Sequence, residues 1–204
     1  MTKIFTILCF FGLIISSCNN KKDLSKADFY YAQGNDFLEK SASLDDSIGR
    51  EKMLIEALKN FESGLKINNQ SSELWENKIK TLGKLGRYKD ATTNATEMEE
   101  AIGSSPENYT LQGILLERQG KKDQALEKYN AAIIAYSNRA KQSSDPIPDK
   151  CNIAFLYFLT KSKDSAFKYL DEIISTNPEN EKPKILKESL EHFNREEFIG
   201  SYFE

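Results

Sequence analysis

Cys18, Cys151 and His192 are the side chains of this 204-residue chain best suited to nucleophilic, redox or ligand chemistry, and their surroundings sort them into different roles. His192 is the sole histidine, so no serine, histidine and aspartate set, no cysteine and histidine pair and no zinc spacing can be assembled. It falls on the polar side of a predicted C-terminal helix and reads as a solvated side chain. The carboxylate pairs Asp45/Asp46, Glu99/Glu100 and Glu196/Glu197 are neighbours in sequence, so they point apart and read as surface. Gly113 to Lys121 places a lysine after a glycine, but the spacing and the next residue depart from the phosphate-binding loop G-x-x-x-x-G-K-[ST]. The chain is therefore expected to be non-enzymatic, with no cofactor and no metal site.

Cys18 is different. It follows Lys3, the uncharged apolar run IFTILCFFGLII and the small pair Ser16-Ser17, and it is followed at once by NNKKD. A basic end, a short apolar segment and small residues before a cut are the order of a secretory signal. The run is well short of the roughly 20 residues that a membrane-crossing helix needs. Ile15-Ser16-Ser17-Cys18 resembles the lipobox of bacterial lipoproteins. That resemblance implies cleavage between Ser17 and Cys18, removal of residues 1 to 17, and acylation of Cys18, whose thiolate is the nucleophile. Two or three acyl chains anchor firmly, at about 0.8 kcal/mol per buried methylene. Asn19 in place of an aspartate implies the outer membrane, with the periplasmic face and the cell surface both open.

Cys9 leaves with the signal, so Cys151 is the one thiol left unmodified; it reads as a small buried hydrophobe, and no internal disulfide can form. The whole chain carries a formal net charge of -3, and the signal contains Lys3 as its only charge. A mildly acidic, evenly mixed chain offers no basic patch for nucleic acid. Residues 18 to 26 read as the lipidated cysteine and a polar tether.

Beyond the tether the pattern is all-α: valine is absent, glycine and proline are sparse, and Leu, Glu, Lys and Ala recur at helical spacing. Ala57, Ala91 and Ala125 stand 34 residues apart, as do Trp75 and Tyr109, and Gly86 and Gly120. The period and the strings LGRYKDA and RQGKKDQA resemble the tetratricopeptide repeat, a pair of antiparallel helices, and imply a solenoid of about four helix-turn-helix repeats over residues 27 to 180. The third repeat, from Pro106 to about Arg139, matches best. The first is interrupted by EKSASLDDSIGREK, expected to lengthen the connection, and seven residues are inserted near SNRAKQSSDPIPDK before the fourth.

In that family the first helix of each pair lines a concave groove that holds a partner segment. Carried over, the groove positions are Tyr31, Asn35, Leu38 and Glu39; Glu76, Lys80 and Lys84; Thr110, Ile114, Glu117 and Arg118; and Phe155, Phe158 and Leu159. The site where the chaperone-binding branch grips a terminal carboxylate with basic residues holds Tyr31, Glu76, Thr110 and Cys151, so that clamp is not expected. Residues 181 to 204 read as a capping helix with Ile185, Leu186, Leu190 and Phe193 on one face, then an aromatic tail. Phe198, Ile199, Tyr202 and Phe203 either fold back on the array or dock a partner. The expected function is a membrane-anchored scaffold or assembly factor of the bacterial cell envelope that binds a protein segment. The alternative is a carrier or receptor for a small apolar or lipidic ligand near Phe155 and Phe158.

Overall fold

The computed structural model describes residues 26–203, all of its regular structure α-helical. Four antiparallel pairs follow one another: α1 (Lys26–Ala42) with α2 (Ser47–Leu65), α3 (Ser72–Lys84) with α4 (Tyr88–Ile102), α5 (Pro106–Arg118) with α6 (Lys122–Gln142), and α7 (Ile147–Thr160) with α8 (Lys163–Thr176). Two single helices end the chain, α9 (Glu181–Glu191) and α10 (Arg195–Ser201). Each helix from α1 to α8 packs on the next, α1 also touches α3 as α7 touches α9, and α10 packs on α5; the first helices of the pairs, α1, α3, α5 and α7, are called the inner row below. The Cys18 lipidation and the Ser17/Cys18 cleavage expected from sequence lie outside the described residues. Among the described residues no helix is long and apolar enough to cross a membrane.

The repeat is written most plainly at its turns. Gly86 and Gly120 have φ of 71° and 74°, a region L side chains rarely adopt. Around each, the chain closes the same way: Gly86 N–H donates to Gly83 O and Arg87 N–H to Leu82 O, while Gly120 N–H donates to Glu117 O and Lys121 N–H to Leu116 O, all at 2.8 to 2.9 Å. These crossed bonds satisfy the last carbonyls of α3 and α5 and turn the chain into the second helix. Starts are fixed by side chains: Ser71, Ser105 and Ser162 accept from Leu74 N, Asn108 N and Ser165 N.

Small residues let the helices approach. Ala57, Ala91, Ala125 and Ala166 are fully buried in the second helices. Gly34 lies under the Phe61 ring and Gly113 under the Tyr129 ring, where an added Cβ would stand within 2.7 Å and 2.9 Å of the ring Cζ atoms. Phe61, Tyr129, Leu115, Leu156 and Leu170 fill the core of the stack at 0–1% exposure.

The expected lengthening of the first connection is corrected. The extra residues of the first pair do not lengthen its connection: residues 43 to 46 join the helices, and the rest extend α1 and α2 to 17 and 19 residues. Asp46 starts α2 early by accepting from Gly49 N at 2.6 Å. Likewise the insertion before the fourth pair becomes helix, carrying α6 to 21 residues. At the C-terminus a break at residues 192 to 194 separates α9 from α10, and Ile185 is 43% exposed where a buried face was expected.

Candidate functional site

The inner row divides into an open half and an occupied half. On α1, Tyr31, Asn35 and Leu38 are half-buried and Glu39 is exposed. Asn77 on α3 donates to Asn35 Oδ1 at 2.9 Å and ties the two first helices together. Glu76 and Lys80 pair at 3.3 Å along α3, with each side chain 38–39% exposed. Lys84 lies at the end of that helix, its pKa lowered by desolvation and by the nearby Arg50 charge. This half presents mixed charge and amide groups.

On α5 and α7 the predicted groove residues do not form open surface. Thr110, Ile114, Phe155, Phe158 and Leu159 are all at most 8% exposed. Thr110 spends its hydroxyl on Pro106 O at 2.8 Å, inside its own helix. The outer part of this half is covered by the protein's own C-terminus: α10 packs against α5 and brings Ile199 and Phe203 into the same core as the repeats.

The seat of α10 is built by two arginines acting in opposite directions. Arg195, at the start of α10, donates from Nε to Leu159 O at 2.6 Å, satisfying a carbonyl in the last turn of α7. Its Nη2 pairs with Glu117 Oε1 on α5. Glu117 is only 7% exposed, and Tyr129 holds its other oxygen with an O–H bond of 3.2 Å. Burial, reinforced by the Glu117 charge, pushes the Tyr129 phenol well above its ordinary value, so it stays a donor. From the other side Arg118 on α5 donates through Nη1 to the carbonyls of Ile199 and Gly200, the last turn of α10. A cation at a helix C-terminus meets unpaired carbonyls and the negative end of the dipole. Arg118 is itself oriented by Tyr88, whose ring centre is 4.9 Å from the guanidinium carbon and whose hydroxyl accepts from Nη2 at 2.5 Å.

Between these arginines runs an unbroken file of rings. Phe158 neighbours Phe155, Phe155 meets Phe198 edge-on at 5.1 Å, Phe198 meets Tyr202 at 5.5 Å, Tyr202 meets Phe203 at 4.8 Å, and Phe203 reaches Tyr88 at 5.9 Å. Such pairs contribute about 0.5–1.5 kcal/mol each beyond the area they bury. The Tyr202 phenol is desolvated here, and with Glu76 facing it its pKa is pushed up to about 12. Phe203, 6% exposed, lies over Gly83, where a Cβ would come within 2.8 Å of its Cγ.

Sequence reasoning placed Glu117, Arg118, Phe155 and Leu159 on the inner row and left the direction of the aromatic tail open; the tail folds back. It missed Gly83 and Arg195. Gly83 stands one 34-residue repeat before Glu117, so the register points at it, but a residue without a side chain offers no groove contact to single out. Arg195 carried no signal, since its partner Glu117 is 78 residues away. His192 is exposed at the end of α9. Burial pushes the Cys151 thiol up to about 11, as expected of a half-buried structural cysteine.

No family model and no curated protein matches the chain. Among solved structures it is similar to one described as the crystal structure of MamA protein, at 17% identity and a TM-score of 0.47, over 87% of this chain and 95% of that one. The reading as a tetratricopeptide-like stack rests on the chain's own helix pairs and their repeated turns.

Proposed function

We propose that this protein is a lipid-anchored, non-enzymatic scaffold of the bacterial cell envelope, held at the outer membrane through Cys18, that grips a segment of another envelope protein along its inner row of helices. The observation that carries the reading is the seat of α10: the inner row already holds a short helical segment by side-chain caps at both ends and a ring file between. Repeat stacks present extended surfaces of this kind to polypeptides. The anchor is supported by the order of charge, apolar run, small residues and cysteine at the N-terminus.

A carrier of a small apolar ligand would need a closed cavity at Phe155 and Phe158. Phe198 fills that place, and the hollow beside it, about 490 Å³, is open and edged by Lys161, Lys163, His192 and Glu197. The polypeptide reading is therefore preferred.

The test uses the acylated protein in its own membranes, with photo-crosslinking residues at Tyr31 and Lys80 in the open half and at Glu117 and Phe155 under the tail, beside a Cys18→Ala control. One envelope protein captured at several of these sites in fixed ratio, and lost or displaced in the control, is the expected result. Capture of nothing above background at all four sites would remove the scaffold reading.

A further inference from the structure

We propose that residues 195 to 203 are an intrasteric ligand of the groove, and that the partner segment it takes carries the same chemistry: a short helix with an arginine in its first turn and aromatic residues three, seven and eight positions later. This deepens the scaffold reading and rests on it.

Four observations lead here. The tail is held against four other helices: Phe203 lies on the bare Gly83 of α3, and side chains grip it through Tyr88 of α4, Glu117 and Arg118 of α5, and Phe155 of α7. The contacts sit on inner-row register positions: Gly83 and Glu117 are one repeat apart, as are Lys84 and Arg118. The helix is only seven residues long, far below the roughly 12–15 at which isolated helices become even marginal in water, so it owes its order to docking. Finally, α10 is joined to α9 by a break at residues 192 to 194, where Asn194 recaps the chain by accepting from Glu196 N and Glu197 N. Release thus requires neither a repeat pair to open nor α9 to move.

Gly83 allows the docking to be weakened without damaging the repeats. It is a helical residue with ordinary φ, so alanine raises the helix propensity of α3 while its Cβ strikes the Phe203 ring.

The test is binding, by fluorescence anisotropy, of a labelled peptide with the sequence of residues 194 to 204, NREEFIGSYFE, to the full chain and its variants. Arg195→Ala with Phe203→Ala disables the resident tail and leaves the groove intact. That double variant is expected to bind the peptide at least about tenfold more tightly than the unaltered protein, which must first release its own tail. Adding Glu117→Ala and Gly83→Ala to the double variant is expected to abolish binding, with circular dichroism verifying that the helices are retained. Equal affinity for the unaltered and tail-disabled proteins overturns the proposal, and so does equal binding of a scrambled peptide of the same composition. The membrane crosslinking separates the two readings: a groove that binds the peptide but captures no envelope protein sinks the scaffold and spares the tail, and the reverse pattern sinks the tail alone.

Discussion

Gly113 and Gly83 accept the same substitution with opposite consequences. Beneath Gly113 the Tyr129 ring is fully buried and its hydroxyl is committed to Glu117, so it has nowhere to go. Gly113→Ala is expected to destabilise the fold by about 1–3 kcal/mol as an overpacked core site, read as a lower denaturation midpoint at unchanged slope. Gly83→Ala should leave that midpoint nearly unchanged, because the ring it strikes belongs to a terminal segment. Tyr202 supplies a pH signature for the same segment. Its pKa is raised, so the docked tail favours the neutral phenol; the contribution of Tyr202 to docking is full below the ordinary tyrosine value of 10.0 and is lost as pH rises toward about 12. Protection of the Ile199 amide should hold from neutrality to about pH 10 and then fall, while Tyr202→Phe keeps it protected further into alkali. A fall that begins near neutrality would contradict the assignment.

The helices were largely legible before the structure because their punctuation is chemical. Gly86 and Gly120 mark turns that need positive φ, serines mark starts that need an acceptor, and fully buried alanines mark close approaches. What misled was added length. Fourteen residues without proline, rich in good helix formers at both ends, look like a long connection when laid against a 34-residue template, yet they cost less as extra helical turns, each residue adding a backbone bond. The extended α6 is braced by Arg139, which bonds Asp149 at the start of α7 from both Nε and Nη2 and Glu107 at the start of α5 from Nη2 at 2.6 Å. Asp149, 5% exposed, holds the Arg139 charge firmly on. Arg139 itself is half exposed, so Asp149→Asn is expected to cost only about 1–2 kcal/mol, an effect that shrinks in high salt. An unchanged midpoint at low salt would show that the brace carries no stability.

Contacts in the stack run mainly between neighbours in sequence, so stability should be distributed like that of a one-dimensional array. Among the described residues the first pair packs on one side only and leaves Phe29 and Ile48 at 51% and 81% exposure, whereas α5 is covered by α4, α6 and α10. Native-state hydrogen exchange is expected to show α1 and α2 opening at the lowest free energy among the pairs and α5 at the highest. Uniform protection across the four pairs would instead mean that the array opens as one unit. The candidate groove was legible only as a register: the repeat assigned its residues to the first helices of the pairs, where Thr110, Ile114, Phe155, Phe158 and Leu159 are buried rather than open. Its occupancy was not, because the Arg195 to Glu117 pairing joins residues that no local pattern links, and an aromatic terminus reads the same in sequence whether it docks at home or abroad.

Only three residues, 192 to 194, join α10 to α9. A ligand leashed this closely is present at its site at an effective concentration on the order of millimolar, whatever the amount of protein in the cell. A free segment at micromolar level with the same intrinsic affinity would displace it in roughly one molecule in a thousand. On the proposed reading the groove would act as a threshold: it would stay shut to weakly held aromatic stretches and yield to a segment that grips harder or arrives tethered, through a second contact on α1, at a local concentration to match.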